Sequence, residues 1–130
     1  MNSGIKYYTD RSYTITGGVP SWMVGRSIIK TPNDERLNIG SSGYMRFSNP
    51  VDWYVYVLFD SRAANLPDWI DKGGWEKKSE YKITTSLSSQ PYLQVWRKRF
   101  SAGACVDLGG NYGSGSSTEN RSNFAVIYGK

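Results

Sequence analysis

The run Val51-Asp52-Trp53-Tyr54-Val55-Tyr56-Val57-Leu58-Phe59 divides by alternation into two sets of side chains. Val51, Trp53, Val55, Val57 and Phe59 fall on one side, and Asp52, Tyr54, Tyr56 and Leu58 on the other. A repeat of two is that of a strand. The first set is the better core face, while the second is aromatic but carries a carboxylate, and so forms either a second packed layer or a surface that touches something. Shorter runs of the same kind predict strands at Lys6–Asp10, Ser12–Thr16, Ser27–Lys30, Tyr44–Ser48, Glu80–Leu87, Tyr92–Phe100, Ala104–Leu108 and Asn123–Tyr128. They are separated by clusters of Gly, Pro, Asn, Asp and Ser, the residues of turns. Helical periodicity is almost absent. At most one short helical turn is expected, near Leu66–Asp71, where Pro67 suits a first turn and Lys72-Gly73-Gly74 ends it. The pattern predicts an all-β chain, a two-sheet antiparallel β-sandwich of jelly-roll type.

The connections are Thr31–Glu35, Asn38–Gly43, Ser61–Trp75, Ser88–Pro91 and the Gly-rich Gly109–Ser122. The last is long for a structureless hairpin and is expected to be either mobile or functional. No internal repeat or dividing linker interrupts the chain, so residues 1–130 are read as a single domain, with Met1–Gly4 as linker-like residues. No apolar run approaches the ~18 residues of a membrane span, and no signal-type segment opens the chain.

Composition narrows the chemistry. The chain has 130 residues, 38% hydrophobic, with 10 Tyr, 5 Trp, 4 Phe, a single Cys and no His. Histidine-ligated zinc, four-cysteine metal sites, intrachain disulfides and both the Ser-His-Asp and Cys-His triads are thereby excluded. Cys105, flanked by Ala104 and Val106, reads as a small buried hydrophobe with no imidazole to activate it. Sixteen basic against 11 acidic residues give a net charge of +5, a mild preference for an anionic partner.

What remains for a binding protein is aromatic faces with polar rims, the usual arrangement of sugar sites, where CH faces stack on indole and hydroxyls take directional bonds. Asp60 and Arg62 leave the central strand beside Trp69 and Trp75. They form the rim of a site, or they pair with each other and cap the loop. Trp69, next to Pro67 and Ile70, is the better plug for the end of the fold, and Trp75, next to Gly74 and a charged run, the better exposed platform. Trp22 and Arg26 lie in a connection, where Trp22 either stacks on a ligand or lids the core. Tyr92, Gln94, Trp96 and Lys98 share one side of their strand, with Leu93 and Val95 on the core side, which places Trp96, Gln94 and Lys98 outward. Asn111 and Tyr112 sit in the Gly-rich loop. The basic run Trp96-Arg97-Lys98-Arg99 is too short, and too divided between faces, to establish a nucleic-acid surface. Asp10, Asn33, Asp34 and Glu35 offer oxygen ligands for a structural calcium ion without the spacing of an EF-hand loop; as turn residues they bond nearby backbone instead.

The succession YYTDRSYTIT, VP, IKTPNDER, SGYMRFSN, VYVLFDSRAANLPDW and NRSNFAVIY, from Tyr7 to Tyr128, resembles a β-sandwich module appended to secreted bacterial polysaccharide-degrading enzymes. Such modules resemble carbohydrate-binding modules. The resemblance implies a non-catalytic, extracellular or cell-surface domain that is covalently attached to a glycoside hydrolase or polysaccharide lyase and holds it at its polysaccharide. The expected sugar-binding residues are Trp22, Arg26, Asp60, Arg62, Trp75, Trp96, Lys98, Asn111 and Tyr112, with no catalytic residue and no cofactor. A monomer is expected, with neither nucleic acid nor membrane as partner, and the charge favours an anionic or sulfated glycan. The alternative is a structural or adhesive β-sandwich of a bacterial surface protein without a glycan ligand. A carboxylate-based enzyme comes third.

Overall fold

The computed structural model describes residues 1, 4–40, 42–117 and 121–129. The chain is nearly all-β and its strand pairs are antiparallel. The strands are β1 (Ile15–Gly17), β2 (Ser27–Ile29), β3 (Met45–Ser48), β4 (Trp53–Asp60), β5 (Glu76–Thr85), β6 (Leu93–Phe100), β7 (Cys105–Leu108) and β8 (Ala125–Tyr128). Six of them form a sheet in the order β1-β5-β6-β4-β8-β2, and β3 and β7 pair separately. Among the described residues, one four-residue α-helix, α1 (Asp68–Asp71), follows Pro67, as the Pro-first turn predicts, and two 3-10 turns at Ser21–Met23 and Asn33–Leu37 exceed the one helical turn expected. Among the described residues, no helix is long and apolar enough to cross a membrane.

Alternation on β4 organises the interior, because β4 lies between β6 and β8 and is covered on both faces. Val55, Val57 and Phe59 point into a core shared with Val106 and Leu108 of β7, Val126 of β8, Phe124 and Ile70. Tyr56 and Leu58 point into a second core with Leu93, Val95, Ile83, Ala125, Ile127 and Ile15, closed by Tyr7, Tyr8 and Met23 from the N-terminal segment. The aromatic face of the central strand is therefore a packed layer and not a contact surface. Trp53 breaks the alternation, packing with Tyr56 and Trp22 on the side opposite Val55.

Three expectations change. The predicted strand Lys6–Asp10 is reduced to two isolated bridges to different segments, Lys6 antiparallel with Thr14 and Tyr8 parallel with Thr31, so no single partner strand extends the pairing. β5 begins at Glu76, ahead of the Glu80 start that the alternation of Tyr81, Ile83 and Thr85 predicts. Its polar first half pairs Glu76 with Arg97 and Lys77 with Trp96, and the register shifts between Lys78 and Lys82. Cys105 is exposed, not buried; β7 turns Val106 and Leu108 inward, and alternation sends its odd-numbered residues out.

Residues 118–120 of the Gly-rich loop lie outside the described residues, as do Asn2 and Ser3 of the linker-like start. The described part of the loop is tied down: Gly110 N–H donates to Gly40 O at 2.7 Å, Tyr112 N–H to Asn38 O at 2.9 Å, and Ser114 O accepts from Asp68 N–H at 2.7 Å. Gly109, Gly110 and Asn111 are buried.

Candidate functional site

Asp60 ends β4 and is 1% exposed. A buried carboxylate is costly unless hydrogen bonds and an opposite charge compensate it, and here both do. Arg62 approaches with Nη2 at 2.7 Å and Nε at 3.1 Å, and its own backbone N–H donates at 2.9 Å. Ser122 N–H donates at 2.7 Å and Gln90 Nε2 at 3.1 Å. Burial pushes the Asp60 pKa up, but the bonds from Arg62, Ser122 and Gln90 outweigh it and hold the carboxyl below its ordinary value. The network continues through Gln90 Oε1, which accepts from Tyr7 Oη and Thr85 Oγ1, each at 3.0 Å. Burial, chiefly, pushes the Tyr7 phenol up to about 12.

Two recesses flank this network. The first, of about 260 Å³, is lined by Phe59, Asp60, Asn65, Asp71 and Lys77 with Tyr92, Gln94 and Trp96 of the β6 side. Trp96 is half-buried against the Val57 core, and its indole N–H is shielded with no hydrogen-bond partner among the described residues. Gln94 is buried instead of outward; its amide N–H donates to Lys78 O at 3.0 Å and Val95 O at 3.1 Å. The face shared by Tyr92, Gln94 and Trp96 lines the recess together with Ser61, Ala63, Ala64, Leu66 and Gly115. The second recess, of about 230 Å³, is lined by Arg11, Tyr13, Asn33, Arg36, Arg62, Leu87, Ser89, Arg121 and Ser122. Asp60 lines the first recess and its partners Arg62 and Ser122 line the second, so the buried carboxylate is the wall between them.

Of the expected sugar-binding residues, Asp60 and Trp96 line the first recess and Arg62 the adjoining one. Trp22 packs between Tyr56 at 4.6 Å and Tyr81 at 5.3 Å between ring centres, its N–H reaching Tyr81 Oη at 3.3 Å. Arg26 covers Trp53 at 3.9 Å and donates to Gly129 O at 2.9 Å. Trp75 is half-buried between Trp69 and Phe100, and Lys98 Nζ donates to Gly73 O at 2.7 Å. Trp69 plugs the end of the fold, edge-on to Trp75, with its N–H on Gly110 O at 2.9 Å. Asn111 is fully buried, and Tyr112 lies under the Arg121 guanidinium at 4.4 Å. Asp10 accepts from the backbone N–H groups of Asn33 at 2.6 Å and Asp34 at 2.9 Å, the turn-stabilising use of such residues. Among the described residues, no three His, Cys, Asp or Glu side chains group to hold a metal ion.

No family model matches the chain, and no curated protein matches it. A solved structure does. The structure of a β-glucuronidase from glycoside hydrolase family 2 is similar over 98% of this chain, with a TM-score of 0.80 and 23% identity. The fold therefore resembles a domain of a glycoside hydrolase. The chain spans 12% of that protein's length.

Sequence reasoning did not select Asn65, Asp71, Lys77 and Tyr92 of the first recess, nor Arg11, Arg36 and Arg121 of the second. For Tyr92 the signal exists, since it shares alternation with Gln94 and Trp96. For the arginines there is none, because they come from turns far apart in sequence and converge only through the fold.

Proposed function

We propose that the chain is a non-catalytic carbohydrate-binding module, a jelly-roll-like two-sheet β-sandwich attached to a secreted polysaccharide-degrading enzyme. The observation that carries this reading is the first recess. Trp96 and Tyr92 supply aromatic surface beside Gln94, Asn65, Lys77 and Asp71, the combination of apolar face and convergent polar groups that fits a sugar ring. The fold's likeness to a small portion of a β-glucuronidase supports a place as one domain of a larger glycoside hydrolase. A binding role fits better than a catalytic one: of the two carboxylates in the recess, Asp60 is saturated by donors and held ionised, so it has neither a proton to give nor a free lone pair to take one. In this reading the module acts outside the cell as a monomer, with polysaccharide and the attached catalytic domain as its partners and no cofactor.

Intrinsic tryptophan fluorescence and affinity electrophoresis against a polysaccharide panel test the proposal. At least one glycan is expected to retard the chain and shift its emission, and Trp96→Ala, Tyr92→Ala and Lys77→Ala are each expected to weaken that retardation. Lys77 is exposed, so its replacement leaves the fold intact. Absence of retardation and of any spectral shift for every glycan would favour the structural or adhesive alternative. Turnover that disappears in Asp71→Asn would overturn the non-catalytic assignment.

A further inference from the structure

The second recess has a distinct chemistry. Every charged residue among the described residues that line it is an arginine: Arg11, Arg36, Arg62 and Arg121. Among the described residues, the carboxylates that pair with Arg62 and Arg11 lie outside the lining, and Arg121 is 1% exposed with its two Nη groups donating to Asn65 O at 3.0 Å and Asn111 O at 2.6 Å. Asp60 is buried behind Arg62, and Asp10 and Asp34 pair with Arg11 from the flank at 3.2 and 2.5 Å. Arg36 is the least engaged. It meets Asp34 only at 3.9 Å and donates one N–H, to Asn33 O at 3.3 Å. Ser89, Ser122, Asn33 and Tyr13 add neutral hydrogen-bonding groups to the same walls.

Guanidinium is planar, permanently charged and suited to bidentate bonding of oxyanions. Several of them around a volume of about 230 Å³, with no carboxylate among the described residues of the wall, form a place for a group of sulfate or carboxylate size. We infer that this recess is an oxyanion site, and that it takes the sulfate ester or carboxylate substituent of a glycan whose ring lies in the adjoining Trp96 recess. The oxyanion site stands on its own lining; its assignment to a glycan rests on the carbohydrate-binding reading. Asp60 couples the two, since the carboxylate that walls the sugar recess also fixes Arg62 in the oxyanion recess.

Two measurements on the intact chain test this. The first is titration with inorganic sulfate, read by NMR at the arginine Nε–H resonances. Arg11, Arg36, Arg62 and Arg121 are expected to shift together, and exposed Arg46 of β3 is expected to stay still. The second compares dextran, dextran sulfate and polygalacturonate by affinity electrophoresis. Binding of a charged polymer should exceed that of dextran and weaken with salt. Arg36→Gln should reduce it about tenfold, the loss of one charge-assisted hydrogen bond, and Arg36→Glu should abolish it, while Arg46→Gln leaves it unchanged. Preference for dextran sulfate over polygalacturonate would assign the substituent to sulfate, and the reverse to carboxylate; either supports the inference. If sulfate shifts the four resonances but no polymer binds, the oxyanion site stands and the carbohydrate reading falls. If sulfate shifts none of them, or if dextran binds as tightly as the charged polymers and Arg36→Glu changes nothing, the oxyanion site is overturned while the carbohydrate reading survives. Equal weakening by Arg46→Gln would reduce the effect to net charge and also overturn it.

Discussion

Asp60 and Arg62 have adjacent alternatives in the sequence, a ligand rim or a mutual cap, and the structure pairs them with each other. Their pairing is structural, since a carboxylate 1% exposed with donors from Arg62, Gln90 and Ser122 cannot be left uncompensated. Asp60→Asn keeps the shape but removes the charge opposite Arg62, and is expected to cost about 3 kcal/mol, the low end for a broken buried pair because Arg62 is partly solvated. The pH dependence follows from the depressed pKa. Near the ordinary carboxyl value of 3.8 the unfolded chain binds a proton that the folded chain refuses, so this contribution is present above that value. It is lost as pH falls below 3.8 through the folded-state pKa. Urea midpoints of the wild type and Asp60→Asn should therefore differ clearly at neutral pH and converge in acid; a difference that persists unchanged in acid would refute the ionised role of Asp60.

The elements owe their stability to burial on both sides of β4. Leu58 and Phe59 are adjacent in sequence, point to opposite cores, and are both fully buried. Leu58→Ala should cost about 2–5 kcal/mol and Phe59→Ala about 3–5 kcal/mol, each read as a lowered urea midpoint with an unchanged slope. A strand with one solvated face would show a large loss for only one of the pair. The polar half of β5 behaves differently. Glu76 and Arg97 pair at 3.1 Å across β5 and β6, but Glu76 is half-exposed, and exposed ion pairs contribute little. That stretch is held by its backbone ladder to β6, which is why its Glu-Lys-Lys-Ser-Glu sequence carries no alternation and hides the start of the strand.

At the scale of the molecule, loops distant in sequence close the end of the fold that holds both recesses. Gly110 is a tight joint among them. An added Cβ there would overlap the side-chain oxygen and the carbonyl oxygen of Asn38, and Gly110 O also receives the Trp69 N–H. Gly110→Ala should therefore displace the 38–40 and 109–113 segments and release Trp69. A red-shifted tryptophan emission with faster proteolysis in the Gly-rich loop is the expected result; an unchanged spectrum would show that the joint is not required. The described part of that loop, read from composition as mobile or functional, is anchored by backbone bonds to Gly40, Asn38 and Asp68.

By itself the sequence determined the all-β class, most of the strands, the inward side chains of β4 and β6 and the short turn after Pro67. These depend on period-two alternation and local backbone preference, which act between near neighbours. Position relative to the core was beyond it. Whether an aromatic face meets solvent or a second layer, whether Trp22 and Trp75 lie free or packed, and whether Arg11, Arg36, Arg62 and Arg121 share one recess all depend on which distant segments arrive opposite. The strand order β1-β5-β6-β4-β8-β2 joins only β5 and β6 as sequence neighbours. The remaining pairings, and with them both recesses, are set by long-range packing that no local pattern encodes.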